Sequence, residues 1–596
     1  MNASRSVASF FVFISMSTSM FAAELSPDKW PEQERVRLEQ MEQVPWPLTT
    51  RAVEGRSAFV AATMSPIATH VGMQTLRSGG TAADAAIATA LTQVATNLGS
   101  IISYAGVLQL VYYDAKTGHV STLDAGWNSY LGEHDPMSIP NADVGSLVPG
   151  RPVTSGAQGR KTLVPGFMAG IEAIHKRFGK MPFNELFDPA IWYSAHGVQI
   201  TPTLQYFIST QHQTLARTEE GRRFLNQAGN DLPKVGDRFI QADLARLLTA
   251  VASHGAAVMY IGEWGRAYVE AVRREGGKVT AEDLKRYAPT WEEPLSTVFG
   301  GSTVFGPGEH GAAGWTILET LNLLDALKIT ELGRYWEDPR AFAAYAYALQ
   351  FATYGHYSPH VATFEREHGF TSKAAERLTR HYAQTVAPAI AELSGYGKPA
   401  AEGHHSAAVV AVDRWGNVAA LVHSINSPIF GDTGIVVQGI PLSGAGGIYQ
   451  YRLAAIKPGE RLPGDPAPVI VTRDGKPVMA VAAVGSSLVP DTVRMVASVP
   501  RSADELQQVL AAPPLLLNLE TPQNPLAPRE VVIPQGFYGH AMLEELGKVG
   551  IQVKEIAQDR VTAIKGTSAV ALLDGGSGVI QTAERPAVVV FADADK

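Results

Sequence analysis

A serine stands at the head of two apolar runs that are joined by a tight turn. Ser406 precedes the run Ala407–Val412, Gly416 and Asn417 follow shortly after, and a second run covers Val418–Ile425. Two β-rich runs around a Gly-Asn pair predict a hairpin of buried strands, with Ser406 at its first position. A buried hydroxyl is a poor nucleophile and needs a base. An α-amino group on the same residue, with an ordinary pKa of about 8, would supply that base if the chain began at Ser406.

Two other interpretations of this stretch remain open. Ser406 could be a polar residue that only begins a strand. His404 and His405 could suggest a pair of metal ligands, but adjacent residues of an extended chain point in opposite directions. The motifs of other hydrolase classes, Gly-Xaa-Ser-Xaa-Gly and His-Glu-Xaa-Xaa-His, and the glycine-rich phosphate loop are absent from the sequence. The sequence therefore predicts neither a metal nor any other cofactor.

The composition is that of a globular protein with a large core. The chain has 596 residues, of which 45% are hydrophobic and 18% charged, and its net charge is −8. Because no basic run of five or more residues occurs, a nucleic-acid partner is not expected. There is no cysteine, which excludes thiol chemistry and disulfides.

The N-terminus has the pattern of an export signal. Residues 1–23 combine a positive start with a short apolar, serine-rich run and small residues before Glu24. That run is too short to span a bilayer, and no later stretch approaches a membrane span. We expect a periplasmic or secreted protein without a membrane anchor.

The remaining chain alternates between strand-rich and helix-rich blocks. Residues up to about 60 are predicted to be an exposed lead-in, 82–90 a closely packed alanine-rich helix, and Val111–Leu123 a hairpin. Residues 160–400 are mostly helical by periodicity, and the C-terminal third is again strand-rich. The polar segment Gly395–His405 between these blocks suits an exposed linker that can be cut. Because both chain halves must share one core, we predict an α+β fold, a four-layer αββα sandwich.

Four fragments in order carry a resemblance to a known family. They are Leu76–Ala86 with its Gly79-Gly80 pair, Leu163–Gly170 with Val-Pro-Gly, Gly276–Leu295, and Asp413–Gly434 with Gly416-Asn417 and Asp432-Thr-Gly. The chain thereby resembles the γ-glutamyltranspeptidase (glutathione hydrolase) family of N-terminal nucleophile hydrolases over nearly everything after the leader. Its departures from the family pattern imply a divergent member.

The resemblance implies a proenzyme that cuts itself between His405 and Ser406. Residues 24–405 would then form a large subunit and 406–596 a small one, associated as a heterodimer. Ser406 falls on the family's catalytic threonine, while Ala407 and Ala408 replace the two residues after it. Ser424 retains a hydroxyl where a family threonine supports the nucleophile. The oxyanion hole falls on the backbone N–H groups of Gly485 and Ser486.

The departures from the family pattern concern the residues that bind the substrate. A γ-glutamyl group carries an α-carboxylate and an α-amine, which require opposite charges in the pocket. The family's carboxylate-binding arginine falls on Gly126, and its amine-binding acid has no counterpart in Leu442–Ile448. Asn426, Arg461 and Asp465 remain as candidate substrate-binding residues. The interval Gly447–Arg461 is short, which suggests a truncated lid over the site, and the glycine-rich turn near Gly106 is reduced.

Three functions remain on this evidence. The leading hypothesis is an exported, self-processing amidohydrolase or acyltransferase that cleaves a small-molecule amide through an acyl-Ser406 intermediate with a non-standard acyl group. The second is true γ-glutamyl transfer and glutathione hydrolysis. The third is an unprocessed, non-catalytic family member that binds a ligand or a partner.

Overall fold

The computed structural model describes most of the chain. The described residues are 25–43, 53–55, 58–141, 156–225, 232–355, 358–371, 373–394, 406–485, 488–498, 500, 502–512, 515, 530–557, 567–574, 577–582 and 590–594. The predicted leader, the linker Gly395–His405 and the candidate oxyanion residue Ser486 lie outside them.

The described residues form 20 strands and 22 α-helices. The strands are β1 (Val53–Gly55), β2 (Phe59–Thr63), β3 (Val107–Asp114), β4 (His119–Ala125), β5 (Val198–Gln199), β6 (Arg238–Phe239), β7 (Thr290–Glu292), β8 (Ser296–Phe299), β9 (Ser302–Phe305), β10 (Ser406–Val412), β11 (Val418–Ser424), β12 (Asp432–Val437), β13 (Ile440–Ser443), β14 (Val469–Arg473), β15 (Lys476–Val484), β16 (Glu530–Pro534), β17 (Gln552–Ile556), β18 (Thr567–Asp574), β19 (Ser577–Thr582) and β20 (Val590–Ala594). The helices are α1 (Glu32–Gln43), α2 (Pro66–Arg77), α3 (Ala82–Thr96), α4 (Phe167–Phe178), α5 (Asp188–His196), α6 (Pro202–Leu215), α7 (Glu219–Leu225), α8 (Ala242–His254), α9 (Ala257–Tyr260), α10 (Glu263–Arg274), α11 (Ala281–Lys285), α12 (Ala312–Ala326), α13 (Pro339–Tyr354), α14 (Pro359–Glu367), α15 (Ala374–Arg377), α16 (Arg380–Val386), α17 (Ile390–Leu393), α18 (Ala445–Ile448), α19 (Gln450–Ala454), α20 (Leu488–Ala497), α21 (Ala503–Ala511) and α22 (His540–Lys548).

Two seven-stranded sheets form the centre of the molecule. Their strand orders are β20-β2-β10-β11-β3-β4-β7 and β1-β19-β18-β15-β14-β9-β8, and strand β15 packs against β10 and β11 across the interface. Helices α2 and α3 cover the first sheet, while α12 and α20 cover the second. This arrangement confirms the predicted four-layer αββα sandwich.

The predicted hairpin behind Ser406 is confirmed as β10 and β11, at the centre of the first sheet. Their register pairs Ser406 with Ser424 and Val412 with Val418. Asp413 fixes the turn, because its carboxylate accepts hydrogen bonds from the backbone N–H groups of Trp415 and Asn417 at 2.9 and 3.0 Å. Gly416 takes a φ of +86°, a left-handed conformation that favours glycine.

Small residues let the first helical layer approach its sheet closely. All residues of α3 are buried, and a Cβ at Gly72 in α2 would lie 2.2 Å from Thr89 Oγ1 and 3.0 Å from a methyl of Val60. The predicted alanine-rich helix is therefore confirmed, and its small side chains set the spacing between helix and helix and between helix and sheet.

The predicted exposed lead-in is wrong in part. Leu25, Trp30 and Leu38 are buried in the main core, and the Trp30 ring packs edge-on against His70 at 4.7 Å. The sequence did not predict this packing, because α1 is mostly polar and only a few scattered apolar side chains of the segment enter the core. In the described part of the chain, no helix is both long and apolar enough to cross a membrane.

Candidate active site

Ser406 lies at the beginning of β10 with its hydroxyl held by a second serine. Its Oγ donates to Ser424 Oγ at 3.0 Å, and the two residues are directly opposite each other in the β10–β11 pair. Both are buried, at 5% and 1% exposure. The strand register thus positions the two hydroxyls that the sequence singled out, and their roles as nucleophile and supporting hydroxyl stay predictions.

Asn426 continues this arrangement just beyond β11. Its backbone N–H donates to Ser424 Oγ at 2.9 Å, and its φ is +47°, a left-handed conformation that costs free energy for a residue with a Cβ. Ser424 Oγ therefore accepts two hydrogen bonds, one from each candidate site residue. No hydrogen bond joins the Asn426 carboxamide to another described residue, and substrate binding by Asn426 stays a prediction.

On the other side of β10, a polar network holds the strand that carries the nucleophile. Thr63, the last residue of β2, accepts from the backbone N–H of Ala408 through its Oγ1 at 2.8 Å. The Gln93 amide of α3 donates to the carbonyl oxygens of Thr63 and of Ala408. Sequence reasoning missed Thr63 and Gln93, because their role depends on strand pairing across more than 300 residues.

His423 completes this network beneath the sheet. It faces α3, away from Ser406, and its Nε2 donates to Gln93 Oε1 at 2.9 Å. Complete burial lowers the pKa of His423 to about 3, so the ring is neutral at ordinary pH. A neutral imidazole on the helix side of the sheet holds Gln93 in place and cannot act as a base for Ser406.

Gly106 allows a close approach at the start of β3. A Cβ at this position would lie 2.4 Å from the carbonyl oxygen of Ser424 and 2.9 Å from that of Ser103. The Gly106 carbonyl oxygen accepts from the N–H groups of Gly166 and Phe167, both at 2.9 Å. The turn that the sequence marks as reduced therefore keeps the one glycine that its packing requires.

Gly485 lies between the end of β15 and the beginning of α20. Its φ of +90° favours glycine. The N-terminus of a helix offers backbone donors and a positive dipole end, which suit a developing negative charge. Gly485 as an oxyanion donor stays a prediction, as does Ser486.

Arg461 lies against Gly126, but its charge is already paired. A Cβ at position 126 would lie 3.3 Å from Arg461 Cδ. The guanidinium forms an ion pair with Asp124 and donates to Asn128 Oδ1 at 2.6 Å and to the carbonyl oxygen of Ala288 at 2.7 Å. Burial raises the pKa of Asp124, and the attraction of Arg461 opposes that effect. Substrate binding by Arg461 stays a prediction, and no unpaired positive charge stands at this position.

Asp465 is likewise engaged with neighbours. Its carboxylate accepts from Arg452 Nη1 at 2.6 Å and from the Tyr449 hydroxyl, and the Arg452 guanidinium lies 4.8 Å from the centre of the Tyr449 ring. The short interval that suggested a truncated lid forms α18 and α19, and Gln450 donates to the carbonyl oxygen of Ile139. Asp465 as a substrate ligand also stays a prediction.

The comparisons with known proteins identify the family. A family model described as gamma-glutamyltranspeptidase matches residues 68–583. The chain belongs to this family. Its predicted membership is confirmed, and so at family level is the prediction of an enzyme of the N-terminal nucleophile type.

Relatives of two kinds are similar to this family member. The glutathione hydrolase proenzyme of Pseudomonas aeruginosa is 26% identical over 456 residues, which cover 70% of this chain and 75% of that protein. The acylase ACY 1 proenzyme of Pseudomonas sp. (strain V22) is 26% identical over 470 residues, which cover 77% and 82%. The solved structure of a cephalosporin acylase from Bacillus halodurans superposes with a TM-score of 0.73 at 19% identity, covering 93% of this chain and 98% of that one. The structural likeness supports the fold, and the two kinds of relative leave the substrate open.

A polar cluster that the sequence did not predict lies beside the family's arginine position. A carboxylate oxygen of Asp124, a carboxylate oxygen of Glu292 and a ring nitrogen of His310 lie within 4.8 Å of one another. The Glu292 carboxylate bonds to His310 Nδ1, and this bond raises the pKa of His310. Arg461 pairs with Asp124, so the group holds one ion pair and, when His310 is protonated, a second between His310 and Glu292. The four residues come from separate segments, so no local motif could have indicated the cluster.

Proposed function

We propose that this family member is an exported, self-processing amidohydrolase or acyltransferase with Ser406 as its nucleophile. The chain would be cut between His405 and Ser406, and the fragments 24–405 and 406–596 would stay together as a heterodimer. The observation that carries the proposal is the 3.0 Å hydrogen bond from Ser406 Oγ to Ser424 Oγ, at the end of a buried strand pair. Export rests on the leader pattern in residues 1–23.

The proposed chemistry uses the Ser406 residue twice. Its freed α-amino group takes the hydroxyl proton as Oγ attacks the amide carbonyl carbon, and an Oγ–C bond forms. The tetrahedral oxygen is stabilised by backbone N–H groups at Gly485 and Ser486. The C–N bond then breaks, and the leaving amine takes up the proton. Water, or an acceptor amine, subsequently attacks the acyl-serine ester and releases Ser406.

The acyl group is proposed to differ from γ-glutamate. Gly126 supplies no cation, the stretch Leu442–Ile448 contains no acid, and Arg461 is paired with Asp124. Breaking a buried pair to recruit one of its charges typically costs about 3–5 kcal/mol. True γ-glutamyl transfer is the second candidate, and the glutathione hydrolase relatives are what favours it.

A non-catalytic binding protein is the third candidate. Ala407 and Ala408 in place of the family's residues after the nucleophile are what favours it. This candidate requires no cleavage at His405–Ser406, whereas both enzyme candidates do.

Processing is the first test of the proposed function. On a denaturing gel, we expect two bands of about 41 and 20 kDa, from 382 and 191 residues at the chain's mean residue mass. N-terminal sequencing of the smaller band should begin at Ser406, and Ser406→Ala should remain a single band. A wild-type chain that stays intact would favour the binding protein.

Turnover of γ-glutamyl-p-nitroanilide separates the two enzyme candidates. The processed protein should release little p-nitroaniline from it, while it still cleaves other acyl anilides. Robust γ-glutamyl turnover would replace our proposal with the family's standard activity. The Ser406→Ala variant is the control for background hydrolysis in both assays.

A further inference from the structure

We propose that the acyl pocket takes an uncharged, largely apolar acyl group that carries one hydrogen-bond acceptor, and that Trp127 helps to select it. This inference rests on the proposed function, because it presupposes that Ser406 becomes acylated. It commits to a substrate class that the proposed function leaves open.

The sheet register places an apolar side chain on the same face as the nucleophile. Ser424 pairs with Ser406 on one side and with Val107 of β3 on the other. Residues directly opposite each other in antiparallel strands share a face, and neighbouring strands lie about 4.8 Å apart. Val107 is therefore about 10 Å from Ser406, within reach of an acyl chain of medium length.

Val107 belongs to a small apolar cluster that is separate from the two main cores. Its other members include Trp127, Leu163, Ala445, Tyr449 and Leu462, all at most 4% exposed. Trp127 directly follows Gly126, and Ala445 lies in the stretch that lacks the family's acid. The cluster thus includes residues next to the two positions at which the family pattern places its carboxylate-binding arginine and its amine-binding acid.

The same region is connected to the site by polar contacts. Ser443, immediately before this part of the cluster, donates to the carbonyl oxygen of Ile425 at 2.6 Å and contacts Ser427 Oγ at 3.1 Å. These two residues flank Asn426. The backbone N–H of Leu462 donates to the Trp127 carbonyl oxygen at 2.8 Å. Through Ser443, which accepts from the backbone N–H of Ala445 at 3.1 Å, the cluster is therefore linked to the residues on either side of Asn426.

An anionic or zwitterionic acyl group would lose hydration in such surroundings without gaining a counter-charge. The cations beside the cluster are already engaged: Arg461 binds Asp124, Asn128 and Ala288. Arg452, whose guanidinium lies over the Tyr449 ring, is paired with Asp465. Burial of an unpaired charge is far more costly than burial of a neutral polar group that forms a hydrogen bond. The cluster consequently favours neutral acyl groups.

One donor in the cluster is available for a neutral acceptor. The indole Nε1–H of Trp127 is buried and has no hydrogen-bond partner within the part of the chain that the structure describes. A ligand oxygen that accepts from it would satisfy a group whose burial is otherwise unfavourable. Ether, ketone and amide oxygens meet this requirement without adding charge.

The test uses the processed, two-fragment protein and four p-nitroanilides: hexanoyl, phenoxyacetyl, glutaryl and γ-glutamyl. We expect kcat/KM for the two neutral acyl groups to exceed that for the two charged ones by about a hundredfold, with phenoxyacetyl, which has an ether oxygen, as the best. Faster cleavage of glutaryl or γ-glutamyl anilide, or no cleavage of any of the four by a processed chain, would overturn the inference. An unprocessed chain would instead overturn the proposed function beneath it.

A substitution of the indole provides the second measurement. Trp127→Phe keeps an aromatic ring but removes the N–H, so the phenoxyacetyl-to-hexanoyl ratio of kcat/KM should fall about tenfold. The matched control is Trp264→Phe, which removes the hydrogen bond from another buried indole to the Val437 carbonyl oxygen. Trp264 belongs to the main core and not to the cluster of Trp127. That change can lower stability but should leave the ratio unchanged. An unchanged ratio in Trp127→Phe would overturn the assignment of Trp127.

Discussion

Removal of the Ser424 hydroxyl is the most direct perturbation of the candidate site. In the native arrangement, Ser424 Oγ accepts from Ser406 Oγ at 3.0 Å and from the Asn426 backbone N–H at 2.9 Å. Ser424→Ala removes both bonds while it changes the side-chain volume little. Because residue 424 is only 1% exposed, bulk water cannot simply replace the lost acceptor.

The expected cost follows from these two bonds. Loss of one ordinary hydrogen bond costs about 1 kcal/mol, and a buried N–H left without a partner costs about 1–3 kcal/mol. The sum is about 2–4 kcal/mol. If the reacting geometry requires both bonds, each rate that depends on Ser406 should fall by about 30-fold to 1000-fold.

The assay follows the appearance of the two fragments on a denaturing gel after a pulse of synthesis. A second assay measures turnover of an acyl anilide by whatever material becomes processed. Ser424→Thr, which retains a hydroxyl, should process within about tenfold of the wild-type rate. Ser394→Ala is the matched control, because Ser394 is a buried serine that bonds to the Tyr347 carbonyl oxygen at 3.0 Å in the other core.

A Ser424→Ala protein that processes and turns over within twofold of the wild type would refute this reasoning. It would mean that the hydroxyl pair does not position the nucleophile. Slow processing in both Ser424→Ala and Ser394→Ala would point to a general loss of stability instead.

Three further predictions concern stability and packing. The pKa of His423 is about 3 in the folded state and 6.5 ordinarily, so its contribution to the free energy of unfolding is complete above pH 6.5 and should fall by about 1.4 kcal/mol per pH unit from 6.5 towards 3. Chemical unfolding at pH 4 to 7 should therefore show a smaller loss of unfolding free energy on acidification in His423→Leu than in the wild type. Parallel pH curves for the two proteins would contradict this. Glu319 and Glu365 both contact the buried Arg377, and burial raises the pKa of Glu319 from 4.5 to about 8. The contribution of Glu319 to the free energy of unfolding is therefore present below pH 4.5 and lost as pH rises through 8, so Glu319→Gln should flatten the decline in unfolding free energy between pH 5 and 8. An equally steep decline in the variant would show that Glu319 does not hold a proton in this range. Gly106→Ala places a Cβ 2.4 Å from the Ser424 carbonyl oxygen, so it should destabilise the protein by about 1–3 kcal/mol and slow processing. Gly547→Ala, whose added Cβ has no atom within 4 Å, should leave the processing rate unchanged. Equal processing rates for the two variants would show that position 106 tolerates a side chain.

Local pattern was sufficient wherever a feature depends on neighbours in the chain. The apolar runs and the Gly-Asn turn predict the hairpin that begins at Ser406, since residues a few positions apart determine strand and turn. The alanine-rich run likewise predicts α3. The lead-in shows the limit of this approach, because Trp30 enters the core through contacts with His70 and not through any periodicity of its own.

Charges illustrate the same limit at the site. The sequence leaves Arg461 and Asp465 as candidate substrate-binding residues, because it does not show which oppositely charged residues of the same chain they pair with. In the fold, Arg461 meets Asp124 from 337 positions away, and Asp465 meets Arg452 from 13 positions away. A charged residue can be assigned to a substrate only after its internal partners are known.

Motif order, apolar periodicity and turn residues are properties of neighbouring positions in the chain. They are therefore enough to predict the family, the layered fold and the serine that begins a strand pair. The surroundings of that serine follow only from the folded chain: the Ser424 hydroxyl at 3.0 Å, the neutral His423 beneath the sheet, and the apolar cluster that includes Val107. The physical reason is that hydrogen bonds, burial and charge pairing depend on distances between atoms. Strand pairing and helix packing set those distances between residues that lie far apart in the sequence.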